Sequence, residues 1–521
     1  MNRPHRIATS LLLLMIAAGA GAAPAPAQPS THVPAAFSDS GRAARVAALL
    51  PEIDKMYADL AAAQHLPGLV YGVVMDGKLV HVRSIGHANI ERKIAASAAT
   101  PFRIASMTKS FAAMAALHLR DAGKLRLDDP VANFLPELKG VRLPTADSPV
   151  LTVRHLMTMS TGLPEDNPWG DRQMAVDNKA LAELVAGGLS FSNAPGVSFE
   201  YSNLGYILLG KIVTNVSGMR FQDYITKHIL RPLGMNDTVW EYADVPRDKF
   251  ALGYLWDRGG WLAEPVLHDG DGAAMGGLIT TMDDFARYVA FHLDAWPARD
   301  GADNGPLRRA TVREMHQPQV FASFAPKALL SDDKTANPRV GFYGYGLTWS
   351  RDSQDVVTVG HSGGLPGYGS QYRFAPDHGI GVIAFTNLRY GPVYNPTSKV
   401  LALLIEKARL QARTILPSPV LLARHQQVAQ LIQSWDETLG TTIAAENFFM
   451  DRSREDWIAE ARKQLAPIGK IRSIGPVKPE NQLRGRFDVV GENGTREVFF
   501  TLTPEREPKL QQLHVMEPKK H

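Results

Sequence analysis

The segment IASMTKS, residues 104–110, places Ser106 three residues ahead of Lys109. On a helix this spacing puts both side chains on one face, with the amine next to the hydroxyl oxygen. The pair could support nucleophilic catalysis. A helix N-terminus favours developing negative charge and offers free backbone N–H groups to an oxyanion. A desolvated lysine can give up its proton and activate the hydroxyl. The spacing alone is weak, since a Ser-x-x-Lys pair occurs about once by chance in a chain this long. A second one, Ser331 to Lys334 in LLSDDKTANP, is present. Context separates them. Phe111 to Leu119 is apolar on nearly every side apart from His118, which predicts a buried helix behind Ser106. Ser331 sits in a polar, proline-flanked loop.

Two further groups could serve the same chemistry. Tyr201-Ser202-Asn203 opens a second apolar helix in FEYSNLGYILLGKIV; a tyrosine acts as a base only when neighbouring cations lower its pKa from about 10. His361-Ser362-Gly363-Gly364 follows the strand-like DVVTV, and its glycines would let backbone N–H groups approach a substrate closely. The same stretch, GHSGG, matches a Gly-x-Ser-x-Gly elbow with Ser362 as nucleophile. That motif needs a helix directly after the serine, whereas Pro366, more glycines and another strand follow here. GYILLGKI (205–212) resembles a phosphate-binding loop but ends in Ile212 and has a helical middle, so it reads as core. No His-Glu-x-x-His occurs and the 16 histidines are scattered, which gives no metal site and no cofactor.

Taken in order, Ser106-x-x-Lys109, Tyr201-x-Asn203 and His361-Ser362-Gly363 resemble the three motifs of the serine β-lactamase and penicillin-recognising superfamily. The tyrosine points to its class C β-lactamase-like branch, which also holds carboxypeptidases, aminopeptidases and esterases. PFRIASMTKSFAAMAAL, GKLRLDDPVANFLPEL, LTVRHLMTMSTGLP and AAMGGLITTMDDFARYV extend the resemblance over roughly residues 45–410. It implies an acyl-enzyme on Ser106, with Lys109 beside it and Tyr201 as the favoured base, the division of that role between Tyr201 and Lys109 being left open. Asn203 would bond the substrate amide, and the N–H groups of Ser106 and Gly364 would form an oxyanion hole. His361, with Ser362 and Gly363, would line the substrate, the histidine standing where a cation meets a substrate carboxylate. Two positions depart from the pattern. No Lys-Ser/Thr-Gly occurs in the chain, and a histidine in its place carries charge only below about pH 6.5, so carboxylate recognition should be weak and pH-dependent. Met159 stands where relatives usually have histidine.

The elements that must position these residues follow a simple order. Residues 43–64 read as a helix, and GLVYGVVMDGKLVHVRSIGHAN as a hairpin turning at Asp76-Gly77. A largely helical stretch runs to about residue 320, and strand character returns in YGYGLTWS, DVVTVGHSGG, SQYRFAP and GIGVIAFTN. Early strands, a helical middle and late strands predict an α+β domain: one antiparallel sheet built from both ends of the domain, flanked by helices, with a helical subdomain. A helix-like segment at 395–412 closes it. ARTILPSPV reads as a linker, and residues 413–521 as a small α+β domain with strands turning at Asn493-Gly494. That tail resembles the NTF2-like or cystatin-like accessory domains found after such hydrolases.

The 521 residues carry 56 Lys+Arg against 52 Asp+Glu, with no basic stretch beyond a short PKKH tail, which argues against nucleic acid as a partner. The chain has no cysteine, so disulfides, thiol chemistry and Cys-ligated zinc are excluded. Arg3 and Arg6 precede IATSLLLLMIAAGAGAA, which reads as a signal peptide ending near residue 27. The competing reading is an uncleaved anchor, for which the apolar run is short. The expectation is therefore a periplasmic or secreted serine hydrolase with residues 28–412 as its catalytic domain and a small molecule or peptide as its substrate. A sensor that is acylated without turnover is the alternative, and an esterase using Ser362 the less favoured one.

Overall fold

Asp76 and Gly77 both have positive φ, 50° and 78°, the backbone a two-residue hairpin turn requires. They join β1 (Gly68–Met75) to β2 (Lys78–Asn89). The structure, a computed structural model, describes residues 32–246, 248–450 and 452–518; the signal-peptide reading lies outside them. The chain divides into two compact units, one from Pro34 to Leu416 and one from Pro417 onward.

In the first unit β1 and β2 join β3 (Ile94–Ala95) at one end of a sheet whose other strands all come from late in the chain. These are β4 (Val320–Ala325), β5 (Arg339–Tyr343), β6 (Thr348–Asp352), β7 (Val357–Leu365), β8 (Tyr368–Ala375) and β9 (Ile380–Thr386). Among the described residues the order is β3-β2-β1-β9-β8-β7-β6-β5-β4, and the pairings of β1 with β9 and of β7 with β8 are antiparallel. The closing contact between the two ends of the domain is the β1–β9 pair, Val70 opposite Phe385 and Val74 opposite Gly381.

Both faces of β1 are buried, and successive side chains serve different cores as strand geometry demands. Leu69, Tyr71, Val73 and Met75 pack with α1 (Arg42–Ala63) and α5 (Tyr394–Lys407). Val70 and Val74 join the larger core. That core holds α2 (Thr108–Asp121), α3 (Asn203–Ser217) and α4 (Met282–Asp294). In α2 every residue from Thr108 to Leu117 is buried, as its unbroken apolar run predicts.

Among the described residues the unit from Pro417 has three α-helices, α6 (Pro419–Ser434), α7 (Glu437–Ile443) and α8 (Arg454–Leu465). Its sheet has five strands among the described residues: β10 (Ile471–Ile474), β11 (Lys478–Asn481), β12 (Arg484–Gly491), β13 (Thr495–Leu502) and β14 (Leu510–Met516). The last three are those legible in sequence. β10 and β11 were not, because four-residue strands such as KPEN carry no apolar alternation. Phe487, Val489, Val498 and Phe500 form the core with Leu421, Val428 and Ile432 of α6.

The larger core also buries a chain of neutral imidazoles. Trp296 Nε1–H donates to His316 Nδ1 at 2.9 Å, and His316 Nε2 lies 2.7 Å from His292 Nδ1. An indole only donates, so His316 carries its proton on Nε2 and His292 carries its own on Nε2, which has no partner among the described residues. Burial lowers both pKa values, that of His292 to about 3. The unfolded chain takes up these protons near pH 6.5 and the folded chain only far below it. Stability is thus complete above pH 6.5 and declines as pH falls towards 3, by about 1.4 kcal/mol per pH unit for each histidine. Melting temperatures between pH 4 and 8 should show this slope, and His292→Phe should flatten it; an unchanged slope would count against the neutral chain.

Candidate active site

The nucleophile candidate lies where a strained turn meets a buried helix. Ala105 has φ 51°, a left-handed conformation costly for a residue with a Cβ. It opens the 3₁₀ turn Ala105–Met107, which runs directly into α2. This turn presents Ser106, partly accessible, at the head of a helix whose first residues are buried.

Lys109 is fully buried. Its Nζ is 2.9 Å from Ser106 Oγ, 2.7 Å from Asn203 Oδ1 and 2.7 Å from the Met275 carbonyl. The last two atoms can only accept. A neutral amine gives them its two N–H groups, leaving its lone pair for the Ser106 hydroxyl proton. Burial depresses the Lys109 pKa to about 7, while the carboxylates of Asp171 and Asp166 work in the opposite direction. The amine is thus poised near neutrality.

Asn203 is the first residue of α3, and its position is fixed twice over. Ser202 caps the helix, its Oγ accepting from the Gly205 N–H at 3.1 Å. Asp166 adds a cap from a distant loop, accepting from the N–H groups of Asn203 (2.7 Å) and Leu204 (2.9 Å). Asn203 Nδ2 donates to Asn167 Oδ1 at 3.1 Å. Each polar atom of the amide is therefore engaged once inside the protein, leaving the second N–H of Nδ2 and the second lone pair of Oδ1 for other partners. Tyr201 stands next to the Lys109 amine, its ring centroid 5.0 Å from Nζ. Its pKa is raised, first by burial and then by Asp171, Asp166 and Glu165. This is opposite to the lowering that a tyrosine base requires.

His361 departs from its sequence expectation. It is buried; Nδ1 lies 2.6 Å from the Ser362 carbonyl and Nε2 3.0 Å from the Tyr343 hydroxyl. The carbonyl only accepts, so Nδ1 carries the proton and Nε2 accepts from Tyr343. Burial, followed by repulsion from Lys109, brings its pKa down to about 3. It is neutral at any working pH and is not a cation that switches on at pH 6.5. Ser362 sits mid-strand in β7 and is followed by the β7–β8 hairpin, with no helix after it. Ser331 bonds the Glu406 carboxylate away from the site.

Gly363 explains why β7 can run past the nucleophile. A Cβ there would lie 2.2 Å from the Ile104 carbonyl oxygen and 3.0 Å from Ala105 Cβ. Ser370 in β8 donates to the same Ile104 carbonyl at 2.7 Å. Gly364 therefore stands beside the Ser106 turn, with Tyr390 against it: a Cβ on Gly364 would be 3.0 Å from Tyr390 Cδ1. Tyr390 and its partner Asp171 were not found from sequence. The Tyr390 hydroxyl donates to Asp171 Oδ2 at 2.9 Å, and burial raises the Asp171 pKa to about 6. No spacing signal joins residues 219 positions apart. Met159, the other departure, has a local role: φ 55° and a sulfur accepting the Ser202 N–H at 3.3 Å.

A partly accessible serine with a buried lysine amine on its hydroxyl, on an α+β scaffold of this topology, is a serine-hydrolase-like arrangement. The Beta-lactamase family profile matches residues 53–407, and the chain belongs to that family. It is 28% identical over 331 residues to protein flp of Staphylococcus aureus (strain MW2), covering 62% of this chain and 60% of that protein. It is 28% identical over 324 residues to penicillin-binding protein 4* of Bacillus subtilis (strain 168), covering 60% and 66%. The chain thus spans about 60% of the length of the first of these relatives. The octameric penicillin-binding protein homologue from Pyrococcus abyssi has a similar fold, with TM-score 0.57 and 22% identity over 89% of this chain and 95% of that one. So does a penicillin-binding protein from Bacillus halodurans, with TM-score 0.52 and 24% identity over 66% and 98%. Among the described residues no cluster of His, Asp or Glu could hold a metal, and no helix is long and apolar enough to cross a membrane.

Gly363→Ala should cost about 1–3 kcal/mol through overpacking against Ile104, whereas Ser362→Ala, one residue earlier, should stay within about 0.5 kcal/mol of wild type. Chemical denaturation of both variants checks this; equal stabilities would remove the close approach of β7 to the nucleophile turn.

Proposed function

We propose that this protein is an exported serine hydrolase that cleaves an ester or amide through an acyl-enzyme on Ser106. The observation that carries the reading is the buried Lys109 amine, 2.9 Å from Ser106 Oγ with its two N–H groups committed to acceptors. Lys109 takes the hydroxyl proton as Oγ bonds to the substrate carbonyl carbon, and the N–H groups of Ser106 and Gly364 receive the oxyanion. The raised pKa of Tyr201 favours Lys109 as the base, and the proton Lys109 has taken passes to the leaving group as the scissile bond breaks. Water then attacks the acyl carbonyl, giving a proton to the neutral Lys109 amine, which returns it to Ser106 Oγ as the acyl bond breaks. Export rests on the N-terminal leader.

His361 narrows the substrate class. With both nitrogens engaged and its charge suppressed, it offers no cation to a substrate carboxylate. This favours short esters, or amides lacking an adjacent carboxylate, over β-lactams and peptides ending in a free carboxylate.

Labelling with a fluorophosphonate followed by peptide mapping should place the modification on Ser106, and Ser106→Ala should abolish both labelling and ester turnover. Label on Ser362 would transfer the role to that serine. Labelling of Ser106 without ester turnover would make the protein an acylated sensor.

Only the neutral amine can act as base, so kcat/KM for a neutral ester should rise as pH increases through about 7 and then level off. The Asp171 carboxylate raises the Lys109 pKa, so Asp171→Asn should move the midpoint to lower pH. A midpoint that stays put, or moves up, would contradict Lys109 as the titrating base.

A further inference from the structure

Tyr390 is an exposed aromatic residue held in a backbone conformation that its size opposes. It is 48% exposed, and its φ of 47° lies in the left-handed region, which a bulky residue rarely adopts. The bonds on either side of it fix this course. The Arg389 N–H donates to the Tyr254 carbonyl at 2.7 Å, and the Tyr390 N–H to the Leu365 carbonyl at 3.2 Å. The Arg389 guanidinium pairs with the buried Glu264 carboxylate. Strain of this kind persists where the surroundings over-determine it, and it gathers at active sites and ligand clamps.

The side chain spans a gap beside Ser106. Pairing of β6 with β7 runs from Val357 to Gly360 and stops there. One edge of β7 is thus unpaired from His361 to Gly364 among the described residues. Within this stretch Gly363 packs against the Ile104–Ala105 backbone that leads into Ser106. At the Gly364 end the Tyr390 ring rests against the strand, as the 3.0 Å approach of its Cδ1 to a Gly364 Cβ position shows. Its hydroxyl reaches across to Asp171 Oδ2 at 2.9 Å, in the segment that also supplies Asp166 and Asn167 to the site. Asp171 is itself buried, which gives the bridge a fixed anchor. At the opposite end stand the rings of His361 and Tyr201, with centroids 6.3 Å apart. The open edge between the two ends, from His361 to Gly364, is about 10 Å long.

The two ends differ in chemistry. Lys109 hands its proton to the leaving group, so the leaving atom belongs on the side of that amine and of the Tyr201 ring beside it. The acyl group is then directed along β7 toward Gly364, where Tyr390 stands. We infer that Tyr390, tied to Asp171, closes the acyl end of the Ser106 cleft and restricts the substrate to esters or amides of short acyl groups. The inference rests on the acyl-enzyme reading of Ser106. An acyl chain reaching past Gly364 must displace the ring and break its hydrogen bond to a carboxylate, one of the stronger kinds.

Alkyl fluorophosphonates test this on the full chain, because fluoride leaves and the alkyl group on phosphorus takes the place of the acyl chain. Labelling rates of Ser106 are compared for a methyl and an octyl probe with the same alkoxy group, beside turnover of p-nitrophenyl acetate and octanoate. In wild type the short member of each pair should react faster. Tyr390→Gly, which suits the left-handed backbone, should raise the octyl-to-methyl rate ratio tenfold or more. A change in Lys109 basicity acts on both probes alike and cancels in this ratio. Tyr390→Phe keeps the ring but cuts the tether to Asp171, and should raise the ratio by a smaller factor; no rise would overturn the part given to Asp171. The same ratio in wild type and Tyr390→Gly, or faster labelling of wild type by the octyl probe, would overturn the closed acyl end while leaving Ser106 as the nucleophile. Failure of both probes to label Ser106 in wild type would instead remove the acyl-enzyme reading, and this inference with it.

Discussion

The burial of one amine governs the catalytic unit. Lys109 sits at the head of α2, where burial opposes its charge and the carboxylates of Asp166 and Asp171 partly restore it. Holding an amine near neutrality requires a dry, packed surrounding and acceptors of fixed direction. The surrounding is α2 itself, buried on all sides. The acceptors are the Met275 carbonyl and Asn203 Oδ1, contributed by segments 166 and 94 positions away. A change that admits water to this point would restore the ordinary lysine pKa and with it the ammonium charge.

Much of the remaining architecture can be understood as keeping those acceptors in place. Asn203 cannot shift without breaking the Asp166 cap of α3, and Ser106 cannot shift without relaxing the strained Ala105 turn. Strand β7 closes the site from the other side, and the missing side chain at Gly363 allows it to touch the Ile104–Ala105 backbone. The sheet brings the parts together because its two ends pair through β1 and β9. Strain at the nucleophile is thus held by ordinary packing elsewhere, the usual arrangement at functional sites.

The sequence by itself determined the local chemistry and the class of fold. The Ser106–Lys109 pair was legible because helix periodicity places i and i+3 together and because an apolar run marks α2 as buried, whereas Tyr201 and Asn203 were joined to it only by the family resemblance. The β1–β2 hairpin was legible because Asp-Gly supplies the positive φ values its turn needs. Tertiary structure decided the rest. The charge state of His361 could not be read from HSGG, since it depends on burial and on Tyr343, 18 positions earlier. The pairing of Tyr390 with Asp171 and the second cap from Asp166 are likewise long-range. Spacing along a chain fixes only neighbours within a turn or a strand pair. Dielectric environment and charge balance depend on everything packed around a group, and that exists only in the folded chain.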